Sequence, residues 1–143
     1  MDNISIEKIW QDEVEDLYEI RVIAKSKYVS ATTDIYMSDI SDILSLANDL
    51  SIYPQNGSEY YWQAYQKNVA GKNLSFCIMP KDRTGHLLIR INIVVDCEEF
   101  PKERYNCSFC IETEIGLLNT FGRSLSHMSQ LSVGAKINLV NLE

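Results

Sequence analysis

The most regular alternation of apolar and polar residues runs from His86 to Asp96. Leu87, Ile89, Ile91, Ile93 and Val95 share one side, while His86, Arg90, Asn92 and Asp96 share the other, which Leu88 and Val94 partly cover. Period two over this length predicts a strand with one buried face. The same rhythm sets Tyr18, Ile20, Val22 and Ala24 against Glu19, Arg21 and Lys25, and it returns within residues 28–36 at Val29, Ala31, Thr33 and Ile35. Lys25-Ser26-Lys27 is the expected connection between those two strands. Further strands are expected at Tyr60, Trp62 and Ala64, at Leu74, Phe76 and Ile78, and at Tyr105, Cys107, Phe109 and Ile111. Between them, residues 68–73 with Gly71 and residues 80–85 with Pro80 and Gly85 read as turns.

In two places the period lengthens to that of a helix. Ile40, Ile43, Leu44, Ala47 and Leu50 form one apolar stripe, predicting a helix over residues 39–50. Ser38 is its expected cap, with Asp39 and Asp42 at its positive end and Pro54-Gln55-Asn56-Gly57 as its stop. A second stripe runs through Ile115, Leu118, Phe121 or Gly122, Leu125 and Met128, with Thr113 as the expected cap and Glu114 in the first turn. Gly116 and Gly122 each cost a helix about 1 kcal/mol relative to Ala, which points to close backbone packing or a shortened helix. Ala135, Ile137 and Leu139 suggest a last short strand or an extended tail.

These elements imply an α+β fold: an antiparallel sheet of about six strands, ordered β-β-α-β-β-β-β-α with an optional final strand, and two helices on one face. The expected organisation is a single domain over residues 1–143, with residues 1–16 as an acidic leader.

Charge sharpens this picture. The chain has 143 residues, 45% of them hydrophobic, and a net charge of −7. Residues 1–20 hold seven acids (Asp2, Glu7, Asp12, Glu13, Glu15, Asp16 and Glu19) against Lys8 alone, a local net of −6. The remainder is close to neutral. Direct binding to nucleic acid is disfavoured, because phosphate contacts need clustered Lys and Arg. An acidic surface instead attracts a basic protein and speeds its capture. No apolar run approaches the roughly 20 residues of a membrane-spanning helix. The first ten residues also lack a signal-peptide pattern, so a cytoplasmic location with reduced thiols is expected.

Candidate chemistry is sparse. Cys107-Ser108-Phe109-Cys110 has CxxC spacing, but in a period-two segment its thiols point to opposite faces. Adding Cys97 and His86 matches no zinc signature, and Cys77 and Cys107 suit core positions. His86 and His127 have no neighbouring nucleophile in a catalytic pattern, and no GxSxG elbow occurs. Ala70-Gly71-Lys72-Asn73 lacks the Gly and the Ser or Thr that a phosphate loop requires. No catalytic residue, metal or cofactor is therefore expected. Tyr60, Tyr61, Trp62 and Tyr65 form a dense aromatic group, with Trp62 expected in the core and at least one tyrosine exposed.

From about Thr32 to Met128 the chain resembles bacterial immunity proteins paired with the toxic domains of wall-associated and related polymorphic toxins. The resemblance rests on the helix at 39–50 after a hairpin, the aromatic strand Tyr60-Tyr61-Trp62, Leu74-Ser75-Phe76, Thr84-Gly85-His86-Leu87, and Ser108-Phe109-Cys110-Ile111-Glu112-Thr113 running into Leu117-Leu118. Glu112-Thr113-Glu114 departs from the Asp-Gln-Thr that the family often has at that junction, and residues 28–36 lack the family's Trp. The resemblance implies a non-enzymatic protein that binds and occludes a cognate toxin. Its family supplies no transferable contact residues.

On the charge and aromatic pattern, the partner-binding residues expected are Glu13, Glu15, Asp16 and Glu19 for charge, with Tyr60 and Tyr61 as anchors. The partner is expected to present a basic surface, and homo-oligomerisation is left open. The alternative is a small ligand-binding or enzymatic domain with a pocket between sheet and helices, towards which His86 and Arg90 would face.

Overall fold

Eight strands and two helices account for most of the described residues. The structure, a computed structural model, describes residues 2–12, 14–15, 17–37, 40–55, 57–66, 72–96 and 104–140. Strands β1 (Asn3–Asp12), β2 (Leu17–Lys25), β3 (Ser30–Met37) and β8 (Lys136–Asn138) form one sheet in the order β3-β2-β1-β8. Strands β4 (Tyr60–Gln66), β5 (Lys72–Pro80), β6 (His86–Val95) and β7 (Tyr105–Glu114) form another in the order β4-β5-β6-β7. Every pairing is antiparallel. Helix α1 (Ser41–Ile52) links the sheets, and α2 (Ile115–Leu125) follows β7 directly, with a 3₁₀ turn at Met128–Gln130.

The α+β class and antiparallel pairing agree with the sequence pattern, but the single sheet of about six strands is corrected to two sheets of four. Strands adjacent in sequence pair in both sheets, except that β8 returns after α2 to pair with β1. The α1 crossover separates β3 from β4, and β4 begins a new sheet instead of extending the first. The inner faces of both sheets and the buried sides of both helices share one apolar cluster. Ile20, Ile43, Leu46, Ile89, Ile91, Ile93 and Leu125 are among its fully buried members.

The acidic leader is corrected as well. Residues 3–12 are an interior strand of the first sheet, hydrogen-bonded to β2 on one side and β8 on the other. Ile4 and Ile6 are buried in the core, whereas Glu7 points outwards. Lys8, the only base of the first twenty residues, is completely buried. Its ammonium donates to Leu131 O at 2.8 Å and Gln11 Oε1 at 3.0 Å, and it lies 5.7 Å from the Tyr18 ring centroid. Those contacts replace the water that a buried ammonium would otherwise lose.

The helices meet at Gly122, so of the two expectations for the helix glycines, close packing or a shortened helix, close packing holds at this one. A Cβ there would stand 2.5 Å from Ser51 N, whereas Gly116 faces open space. Asn119 closes the α1 C-terminus, its amide donating to Leu50 O at 2.9 Å and Tyr53 O at 3.1 Å. Leu50 O also accepts from Tyr53 N at 3.4 Å, so the Asn119 amide adds a second donor to it and a donor to Tyr53 O just past the helix. Ser38 and Asp39 lie outside the described residues, and Ile40 occupies the α1 N-cap without a side-chain bond. Glu114, not Thr113, is the N-cap of α2. Strand β7 continues to Glu114 and turns the Thr113 side chain into the interior. No described helix is long and apolar enough to cross a membrane.

Candidate partner-binding face

The outer face of the first sheet consists of rows of side chains, one from each paired strand. In one row, Lys136 of β8, Glu7 of β1, Arg21 of β2 and Asp34 of β3 lie side by side. Lys136 Nζ is 3.6 Å from Glu7 Oε1. Arg21 binds Asp34 with both arms of its fork, Nε to Oδ1 at 2.8 Å and Nη2 to Oδ2 at 3.1 Å. The hydrogen bond and charge of Asp34 hold the Arg21 guanidinium above its ordinary pKa, with smaller contributions from Glu7 and Glu19. Positive and negative groups alternate, and the row neutralises itself.

The next row towards the β1–β2 turn is different. It reads Trp10, Glu19 and Tyr36, and the Trp10 and Tyr36 rings meet over the strand that carries Glu19. Their centroids are 6.2 Å apart and their planes 28° apart. Trp10 is 45% and Tyr36 40% exposed, so a large apolar area is open to solvent. The register shift between Lys8 and Trp10 produces this arrangement. Ile9 is the extra residue of a bulge, so Lys8 faces the core while Trp10 faces out. Glu19 is half-buried and makes no hydrogen bond or ion pair among the described residues. Beyond it, Asp12 caps the turn by accepting from Val14 N at 3.0 Å, next to exposed Glu15.

The six residues expected to bind a partner are not brought together. Glu15 and Glu19 lie at this end of the first sheet, while Glu13 and Asp16 lie outside the described residues. Tyr60 and Tyr61 are on β4 of the second sheet and, as strand neighbours, face opposite ways. Tyr60 packs against the core, and its hydroxyl donates to Asp49 Oδ2 at 2.9 Å. Burial first, then Asp49, raises its phenol pKa strongly. It is therefore not a surface anchor. Tyr61 is 61% exposed, with its hydroxyl donating to Gln63 Oε1 at 3.1 Å. The aromatics beside the acids are instead Trp10 and Tyr36. The signal for Tyr36 was present: a turn centred between Lys27 and Tyr28 places it opposite Glu19. Trp10 belongs to β1, within the residues expected to be an acidic leader.

The other candidate groups have local roles. Cys107 packs against the core and Cys110 is exposed, on opposite faces of β7. Cys77 sits opposite Arg90 on the outer face, not in the core as its pattern suggested, and Cys97 lies outside the described residues. His86 and Arg90 are also on that exposed face, away from the space between sheets and helices. His86 Nδ1 is 2.7 Å from Asp82 Oδ2. Asp82 Oδ1 accepts from Thr84 N and Thr84 Oγ1, each at 2.8 Å. These Thr84 bonds, followed by those from His86, hold the Asp82 carboxyl well below the usual carboxylate range. The cluster shapes the β5–β6 turn. His127 is exposed just beyond α2.

No protein-family model matches this sequence, and no curated protein matches it either.

Proposed function

We propose that this protein is a non-enzymatic binding module that covers a basic surface of another protein and, given its resemblance to immunity proteins, that the partner is a cognate toxin domain. One observation carries the reading: an exposed Trp10–Tyr36 pair sits on the outer face of the first sheet next to Glu19 and the acidic β1–β2 turn. Exposed aromatics in a cluster supply the buried area that dominates protein interfaces. Carboxylates around them steer a basic partner and reject an acidic one. Occlusion needs no catalytic group. The inhibitor has only to fill the approach to the toxin's active site for longer than the toxin takes to find its substrate.

The test is co-expression with the protein encoded immediately upstream. Rescue of growth together with co-purification of the pair supports the reading. Persistent toxicity with no complex, or rescue by a protein that turns over the toxin's substrate or product, overturns it.

A further inference from the structure

The two neighbouring rows of the first sheet differ in one respect. Lys136, Glu7, Arg21 and Asp34 alternate in sign and satisfy one another within the row. Trp10, Glu19 and Tyr36 contain an acid and no base. Arg21, the nearest cation along β2, is already held bidentately by Asp34. The Glu19 row is therefore complete in apolar surface and incomplete in charge. We infer that an arginine side chain of the partner completes it, with its guanidinium against the Trp10 and Tyr36 rings and its N–H groups directed to the Glu19 carboxylate.

Each part of the row suits that side chain. A guanidinium is planar and weakly hydrated, so it can lie flat on an aromatic ring where an ammonium keeps its water. Attraction to a ring extends to about 6 Å from the centroid. Trp10 and Tyr36 are stacked with centroids 6.2 Å apart and planes 28° apart, so a guanidinium laid on the outer face of either ring extends the stack. The Glu19 carboxylate, half-buried and without a hydrogen bond or ion pair among the described residues, can accept two parallel N–H groups from the fork. The Arg21–Asp34 pair already displays that geometry on the same face, one pleat away. Lysine would gain the charge attraction but neither the stacking nor the second bond.

This inference rests on the protein-binding reading and deepens it, and its test needs no knowledge of the partner. A short neutral-flanked peptide with two arginines, and its two-lysine counterpart, are titrated at low ionic strength into the ¹⁵N-labelled full chain. Trp10 and Trp62 each give an indole N–H signal, assigned with Trp10→Phe. Trp62 stacks on Phe76 in the second sheet and serves as the internal reference. The arginine peptide is expected to move the Trp10 signal alone, at concentrations about threefold or more below those for the lysine peptide. Glu19→Gln is expected to weaken that response about fivefold or more, with an unchanged Trp62 signal reporting an intact fold. If that variant does not fold, Tyr36→Leu provides the same reading. An unmoved Trp10, an equal response to the two peptides, or a response unaffected in the folded variant overturns the arginine assignment. Failure here leaves the co-purification experiment to decide the broader reading, while loss of that reading alone leaves the peptide response intact.

Discussion

The backbone of Gly122 lies so close to Ser51 that a Cβ on the glycine would stand 2.5 Å from the serine's amide nitrogen. Ala47 O and Leu50 C would be 2.7 and 2.9 Å away, so the obstacle is backbone that cannot rotate aside. Helix propensity alone favours Ala over Gly by about 1 kcal/mol. Overpacking works in the opposite direction, by about 1–3 kcal/mol. Gly122→Ala is therefore expected to lower stability, whereas Gly116→Ala, with nothing within 4 Å, should raise it by up to about 1 kcal/mol. Urea unfolding midpoints at unchanged m-value measure both. Equal effects of the two substitutions would show that the helices do not meet at Gly122.

Asn119 reaches from α2 to two carbonyls at the end of α1, so its removal takes a donor from Tyr53 O and leaves Leu50 O with its bond from Tyr53 N alone. Asn119→Ala is expected to cost about 1–3 kcal/mol. Amide exchange should rise first in the last turn of α1 and the Tyr53 region. Calorimetry gives the total, and exchange confined to α2 would refute the cap.

The β5–β6 turn makes stability depend on acid in a definite direction. Asp82 has a lowered pKa in the folded chain, first through its Thr84 bonds, so at low pH the unfolded chain binds more protons there. Its stabilisation is complete above about pH 4, the ordinary aspartate value, and is lost as pH falls towards the folded value. Asp82→Ala should thus melt at a lower temperature than the native chain at pH 7. The gap should narrow on acidification below that value, and a gap constant through acid pH would contradict the assignment.

Charge and apolar contact on the partner-binding face should separate kinetically. Reversing Glu15 and Glu19 to Lys is expected to slow association with a basic partner at low salt by about tenfold or more, with the difference shrinking as salt rises. Trp10→Ala should act mainly on dissociation, costing about 2 kcal/mol or more if the ring is buried in the complex. Surface plasmon resonance at two ionic strengths distinguishes the two effects. A salt-independent loss in the charge variant would argue against steering.

Much of the fold was legible because long strands repeat their alternation without interruption. The β6 pattern at Leu87–Val95 is an example, and its buried residues match the expected set. The two helices and their order also follow from periodicity, although in α1 Leu46 is buried and Leu44, a member of the expected stripe, is exposed. Strand β1 was hidden by a physical irregularity. Ile4 and Ile6 begin a normal alternation, but the buried charge of Lys8 and the extra residue Ile9 break both its chemistry and its phase. The division into two sheets was equally hidden, since alternation marks which face is buried but not which edges pair. The same limit explains the site: Glu19 could be singled out by charge, but its neighbours Trp10 and Tyr36 come from other strands and require register.

The edge of β1 facing away from β2 is covered by a short strip of chain from Gly134 to Val140. Gly134 N donates to Lys8 O at 2.7 Å, Lys8 N to Ala135 O at 3.1 Å and Leu139 N to Ile4 O at 2.8 Å. An uncovered strand edge is a template on which another molecule can add its own strand. Ile137 and Leu139 hold the strip against the apolar core. With the strip in place that edge is closed to a partner strand, so its displacement should expose β1 as a seam for pairing between copies of the chain.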